Sequence, residues 1–379
     1  MTTLFSSIAC GLLGPEKKNS AFDLNSIVRP NILDLTPYRC ARDDYSEGVL
    51  LDANENSLGS ISNDYGDMDL HRYPDPLYYE IKTEISKYRN VEKEQIFLGV
   101  GSDEAIDILF RIFCVPSQDN IITTPPTYGM YKVSAKVNDT SVIQAPLTSS
   151  FDLDIDTVLA SINENTKMIF ICSPGNPTAK TIPIESICKI LDNFDTGLVV
   201  VDEAYIDFCT TTKSACSLID TYPNIVILHT MSKAFGLAAI RLGMAFASRE
   251  IIQLMNNVKA PYNINKLTAR AALDVWKTQL PVLKNKIDVL ISNRNELMNK
   301  LTALPYVARV FPSDSNFILF RVRARAQEIY KIMAERGVVV RYRGTEIHCN
   351  NCIRATVGTK EENEKMIQLM TQVVTELGA

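Results

Sequence analysis

The chain predicts an α/β fold: a large domain with a mostly parallel central sheet flanked by helices, plus a smaller α+β domain. Three observations predict it. From about residue 95, short β-branched runs alternate with helical stretches, the pattern of parallel strands joined by crossover helices. Several runs are continuously apolar, Met168-Ile-Phe-Ile-Cys172, Leu198-Val-Val-Val201 and Ile225-Val-Ile-Leu228, as strands covered on both faces must be. After about residue 265 the alternation gives way to long helices and a few separate strands.

Taken in order, residues 1–23 read as a tail. The mildly apolar run from Leu4 to Leu13 has no basic residue before it, and Lys17 and Lys18 follow it. That order is wrong for a secretory signal. The segment Ile27 to Leu51 is expected to pack on the C-terminal unit, because the large sheet is complete without it. Strands are expected over 95–100, 120–124, 142–145, 167–172, 197–201, 224–229 and 241–247, with helices over 103–114 and 184–193. Apolar residues recur in those helices at three-to-four spacing. The C-terminal part reads as a long helix broken near Pro281, a strand at 316–322, a helix at 324–335, strands at 338–342 and 352–357, and a closing helix from Glu361. The expected domains are therefore 61–270 for the large unit, and 24–60 with 271–379 for the small one.

Composition narrows the function. With 379 residues, 46% of them hydrophobic, the chain can bury a large core. The net charge of −5 and the absence of a dense Lys/Arg run argue against nucleic-acid binding. No run of about 18 apolar residues predicts a membrane span. Nine scattered cysteines, an odd number without a secretion signal, read as free thiols in a reducing cytoplasm. His348, Cys349 and Cys352 cluster, but a structural zinc site needs a second ligand pair that the sequence lacks. No metal is expected.

Four segments carry chemistry, each at a strand end. In Thr230-Met-Ser-Lys-Ala-Phe-Gly236, Lys233 follows a buried strand and Arg241 comes eight residues later. A desolvated amine beside a cation loses its proton more readily, which imine formation requires. Thr230, Ser232 and Arg241 can donate to a nearby phosphate. A plain turn with solvated Lys and Arg is the alternative. In Val201-Asp-Glu-Ala-Tyr205, Asp202 ends a strand where ligands of open α/β sheets bind, and a carboxylate there can pair with a protonated pyridine nitrogen. An exposed helix-capping Asp would look the same; Glu203 and Asp207 read as surface or outer charges. In Ser173-Pro-Gly-Asn-Pro-Thr178, two prolines set a rigid turn that aims the Asn176 amide, or simply close a loop. In Gly99-Val-Gly-Ser-Asp-Glu104, a strand opens through Gly-x-Gly into a helix whose free N–H groups suit phosphate.

These four segments resemble the fold-type I PLP-dependent aminotransferases. Together with Leu51-Asp-Ala-Asn-Glu-Asn56, Arg72-Tyr-Pro-Asp75, Pro125-Pro-Thr-Tyr128, the Val338-Val-Val-Arg341 strand and Ile353-Arg-Ala-Thr-Val-Gly358, they resemble most closely the histidinol-phosphate aminotransferase family. The likeness covers about residues 24 to 379. It implies pyridoxal 5′-phosphate as cofactor, with Lys233 carrying it as a Schiff base and Asp202 on the ring nitrogen. Tyr205 and Asn176 would contact the phenolic oxygen, and Tyr128 would stack on the ring. Backbone at Ser102 and Asp103, with Thr230, Ser232 and Arg241, would hold the phosphate. Tyr73 would reach the phosphate of a second subunit, which implies a homodimer with shared active sites. Arg354 would take the substrate's anionic end, helped by Arg341, Tyr38 and Asn54. The implied reaction is L-histidinol phosphate with 2-oxoglutarate, giving imidazole-acetol phosphate and L-glutamate.

The sequence departs from the family at Ala179 and Ala239, where Gly is usual, and at Ser57, where Pro is usual. Altered fit rather than lost chemistry is expected. An aromatic-amino-acid aminotransferase or a phospho-amino-acid decarboxylase on the same scaffold remains an alternative. A PLP-sensing regulator would need a basic DNA-binding head that about 23 residues cannot form.

Overall fold

The continuous apolar runs become interior strands of one sheet. The protein is described here by a computed structural model covering residues 21–44, 47–61 and 68–378; the tail expected over 1–23 lies almost wholly outside them. The strands are β1 (Ile96–Val100), β2 (Asn120–Thr123), β3 (Ser141–Gln144), β4 (Thr166–Cys172), β5 (Leu198–Asp202), β6 (Ile225–Thr230) and β7 (Leu242–Ala247). They pair in the order β1-β7-β6-β5-β4-β2-β3. All contacts from β3 through β6 are parallel, while β7 runs antiparallel to both of its neighbours. Successive side chains point to opposite faces, so each interior strand feeds two cores. Ile169, Ile171, Val199 and Val201 enter one; Met168, Phe170, Leu198 and Val200 enter the other. Each fully buried side chain of this size contributes roughly 1.5–3 kcal/mol.

The register brings the strand ends to one edge. Cys172 of β4 pairs with Asp202 of β5, and Asp202 with Leu228 of β6. Because β7 is reversed, its first residues lie at that same edge, with Thr230 against Gly243 and Val100 against Leu242. Every sheet-borne site motif therefore faces one crevice.

The C-terminal unit is a second, four-stranded sheet. Its strands are β8 (Val307–Val310), β9 (Phe317–Val322), β10 (Arg341–Tyr342) and β11 (Cys352–Thr356), all antiparallel. Helices Ala326–Glu335, Lys360–Leu377 and Leu280–Thr302 cover it, and Leu297, Leu301, Phe320, Met333, Ile353 and Met370 fill its core. The strand expected over 338–342 keeps only its last two residues, and β8 was not anticipated. The expected break near Pro281 is a π-turn at Val275–Gln279, which leaves Pro281 in the first turn of the following helix; there its missing N–H costs nothing. Thr359 starts the last helix through a capping box with Glu362.

Two expectations are corrected. Ile27 and Val28 do not pack on the C-terminal unit; they are buried in the large-domain core beside helix Gly101–Phe113. The Arg29 N–H donates to the Ile112 carbonyl at 2.9 Å. The apolar pair is too short to show from sequence which surface it covers. For Glu203 and Asp207, read as surface or outer charges, burial rules out the surface alternative. Glu203 is buried, accepts from the Ser214 hydroxyl and the Ala215 N–H, and burial raises its carboxyl to about 7. Asp207 accepts from Arg89 at 2.6 Å and from the Tyr88 hydroxyl at 3.1 Å, with His229 Nε2 at 2.8 Å.

Burial alone would push the Asp207 carboxyl up, but Arg89 and His229 outweigh it and hold it well below the usual range. A folded value below the unfolded one, about 3.9, stabilises the fold above that pH and ceases to do so as pH falls through the folded value. Asp207→Asn is expected to cost about 3–5 kcal/mol at neutral pH by stranding Arg89. Denaturant unfolding should show the deficit shrinking below about pH 4.

Candidate active site

The crevice at the strand ends opens into a cavity of about 860 Å³. It is lined by Ser102, Asp103, Tyr128, Asn176, Asp202, Tyr205, Thr230, Ser232, Lys233 and Arg241, and from the C-terminal unit by Arg341 and Arg354. Twelve of the residues singled out in the sequence thus share one space.

Helix Gly101–Phe113 begins at the cavity wall. Two glycines allow that start to lie close to β7. A Cβ on Gly243 would fall 2.2 Å from the Ser102 nitrogen, and one on Gly101 would fall 2.8 Å from Arg241 Nη2. The Gly101 N–H donates to the Arg241 carbonyl at 2.8 Å, and Arg241 is left-handed, at φ 55°. Its guanidinium stands 3.6 Å from Asp103. The Thr230 and Ser232 hydroxyls lie 3.0 Å apart. Unpaired helix N–H groups, two hydroxyls and a guanidinium form a cradle for a phosphate dianion.

Asp202 is buried and lines the same cavity. Burial raises its carboxyl, against the hydrogen bonds from Tyr131 and Ala204 that lower it. The Tyr131 hydroxyl donates to Oδ2 at 2.6 Å and the Ala204 N–H to Oδ1 at 3.1 Å. A carboxyl so placed gains most from a cationic partner. Tyr131 escaped the sequence reading: it sits on helix Met130–Val137, which was not anticipated, and a tyrosine beside a core stripe gives no signal. Tyr128 meets Tyr131 edge to face, centroids 5.6 Å apart.

Lys233 Nζ stands over the Tyr205 ring, 5.6 Å from its centroid. Burial lowers its pKa first, then the Arg354 charge, with Arg241 adding to the effect. The amine is thereby shifted toward its neutral, nucleophilic form. Asn176 Oδ1 accepts from Arg354 Nη1 at 2.5 Å, which leaves the Asn176 amide nitrogen as the free donor. Ala179 adopts φ 60° and is fully buried; a side chain in that region costs roughly 1–2 kcal/mol, so this departure from Gly is borne by packing. Ala239 lies in an ordinary 3₁₀ turn, Ala238–Ile240, and needs no glycine.

Three expected residues lie elsewhere in this chain. Tyr73 and Asn54 line a separate cavity of about 500 Å³, and Tyr38 a third of about 350 Å³. A polar clamp holds Tyr73 there: Glu55 accepts from Arg42 and, at 2.7 Å, from Arg72, while the Tyr73 N–H donates to its other oxygen at 2.6 Å. Tyr73 is half-exposed and stacks on Tyr262 at 4.6 Å.

The profile of the class I and II aminotransferases matches residues 47–369. A histidinol-phosphate aminotransferase of Cytophaga hutchinsonii is 47% identical over 352 residues, 92% of this chain and 99% of that one. The chain belongs to the histidinol-phosphate aminotransferases. A Saccharomyces cerevisiae member of the family is 44% identical over 94% of this chain and 99% of its own. Among solved structures, the Clostridium acetobutylicum histidinol-phosphate aminotransferase has the same fold, with a TM-score of 0.75 at 23% identity, covering 81% of this chain and 92% of that one. So does the Sinorhizobium meliloti histidinol-phosphate aminotransferase solved with pyridoxal-5′-phosphate, at TM-score 0.75 and 20% identity, covering 86% and 90%. The aminotransferase uses pyridoxal phosphate, and the donor set fits it. An anion cradle, a shielded carboxylate and an amine held toward neutrality correspond to the phosphate, ring nitrogen and aldehyde of that cofactor.

Proposed function

We propose that this aminotransferase moves the amino group of L-histidinol phosphate to 2-oxoglutarate, giving imidazole-acetol phosphate and L-glutamate, in histidine biosynthesis. The observation that carries the substrate is the guanidinium wall. Arg341 and Arg354 pair directly across β10 and β11 and both line the cavity that holds Lys233. A planar guanidinium matches phosphate or carboxylate with two parallel bonds, so one wall serves the phosphate of one substrate and a carboxylate of the other.

The bound cofactor supplies an electron sink for the pair left when the substrate carbon loses its proton. The protein's own groups do the rest. Ser102, Asp103, Thr230, Ser232 and Arg241 anchor the cofactor phosphate. Asp202, held by the Tyr131 hydroxyl, would pair with the ring nitrogen and favour its protonated form. Asn176 and Tyr205 donate to the phenolic oxygen, and Tyr128 covers the ring. The Lys233 amine would hold the cofactor between turnovers and, once freed by the substrate amine, would be placed to take the proton from the substrate carbon. Arg354 and Arg341 hold the anionic end still while this happens.

Each chain lends Tyr73 to the cavity of a second copy in a homodimer, with Tyr38 and Asn54 on the same lent face. The exposed Tyr73–Tyr262 stack and its rigid clamp support this arrangement. No disulfide joins any of the eight described cysteines, which supports a cytoplasmic setting. Among the described residues no helix is long and apolar enough to cross a membrane.

The deciding assay compares L-histidinol phosphate and L-phenylalanine as amino donors to 2-oxoglutarate, with CO₂ release followed in parallel. Histidinol phosphate should be preferred by at least about 100-fold in kcat/KM, the equivalent of one good charged contact. Preference for phenylalanine, or CO₂ from a phosphorylated amino acid, would overturn the reading.

A further inference from the structure

One guanidinium in the cavity has no role so far. Arg343 follows β10, and its N–H donates to the Cys352 carbonyl at 2.9 Å, so the antiparallel ladder continues past Tyr342. Residues two apart on a strand share a face. Arg343 therefore lies on the side that carries Arg341, with Arg354 directly across from Arg341. All three line the cavity, together with Glu346. After burial, Arg343 is the leading influence on the Arg354 guanidinium, depressing its pKa through like charge.

The pairing of Arg343 is incomplete. Nη1 donates to Glu346 Oε1 at 2.8 Å, whereas Nε is buried with no partner among the described residues. Glu346 comes three residues later, its N–H bonded to the Arg343 carbonyl at 3.0 Å. Both side chains are about one-fifth exposed, 22% and 23%. Burial raises the Glu346 carboxyl, against the Arg343 and Arg354 charges that lower it. A surface i,i+3 pair would be solvated and aim at bulk water; this one faces the cavity beside two other guanidinia.

We propose that Arg343 is a specificity-determining residue that selects a phosphorylated amino donor, with Glu346 as the internal carboxylate that occupies its fork until the substrate phosphate displaces it. The proposal rests on the histidinol-phosphate reading for the identity of the donor. A dianionic phosphate offers three oxygens and can engage more than one guanidinium, while a carboxylate offers two. A third arginine on the wall thus favours phosphate over carboxylate. The short Glu346 tether keeps three cations from repelling one another in the empty site, and the same carboxylate competes with any weak anion.

The test uses the holoenzyme and two variants, Arg343→Gln and Glu346→Gln, with L-histidinol phosphate and unphosphorylated L-histidinol as donors. In Arg343→Gln the ratio of the two kcat/KM values should fall about 10- to 100-fold, the loss of one charge-assisted contact, and mainly through KM for the phosphorylated donor. Glu346→Gln should shift that KM the opposite way, downward by about threefold or more. Bound-cofactor absorption reports that each variant is folded. In a second arm, inorganic phosphate is titrated as an inhibitor of glutamate/2-oxoglutarate exchange, and its inhibition constant should rise in Arg343→Gln. An unchanged donor ratio in a cofactor-loaded Arg343→Gln protein, or a raised KM in Glu346→Gln, overturns the proposal. Wild-type protein that ignores histidinol phosphate sinks the substrate reading instead, and the inhibition arm then decides whether Arg343 is an anion site.

Discussion

Lys233→Ala is expected to lower turnover of histidinol phosphate with 2-oxoglutarate by at least about 10⁴-fold, the scale of a positioned general base combined with loss of a nucleophile. The amine sits above Tyr205, and burial together with the Arg354 charge shifts it toward neutrality. Alanine removes both the attachment point and the proton carrier, and among the described residues no other lysine lines the cavity. Borohydride reduction followed by mass measurement should add a pyridoxyl group to the wild-type peptide containing Lys233 and to no peptide of the variant. A label on a different lysine, or turnover within tenfold of wild type, would mean that another residue does this work.

Asp202→Asn is the second large effect. Asparagine keeps the shape; its one amide oxygen can still accept from the Ala204 N–H while its Nδ2 donates to the Tyr131 hydroxyl oxygen, so the main change is the lost charge. Wild-type Asp202 is wholly buried, raised by burial and steadied by the Tyr131 and Ala204 donors. A cationic ring nitrogen turns that costly carboxylate into half of a shielded ion pair, whereas a neutral amide cannot keep the proton on the ring. The kcat should fall about 10²- to 10³-fold, as when one preorganised electrostatic partner is removed, with the protein still folded and still coloured by its cofactor. A kcat close to wild type would remove Asp202 from the chemistry.

Much of this was legible beforehand, for a physical reason. A parallel strand covered on both faces must be apolar without interruption, so β4, β5 and β6 announce themselves within a residue or two. The cavity then opens at their ends, and Asn176, Asp202 and Lys233, each read from such an end, line it. What escaped depends on partners distant in sequence. Tyr131 matters only because its helix passes behind Asp202. Arg343 matters only once a ladder to Cys352 extends β10. Ile27 and Val28 show that they are core, but not which core, because two apolar residues carry no direction. Asp207 looks like any acidic residue in a loop until Arg89 and His229 close around it.

The single reversed strand and the separate four-stranded sheet have an evolutionary consequence. Everything that handles electrons is borne on one rim, while the choice of anion is delegated to a hairpin with its own hydrophobic foundation. Substitutions at Arg341 and Arg343 can therefore redraw the range of accepted metabolites, whereas Arg354, bonded to Asn176 and acting on Lys233, ties the hairpin to the reaction engine. A lineage with this architecture can change its diet without relearning its chemistry.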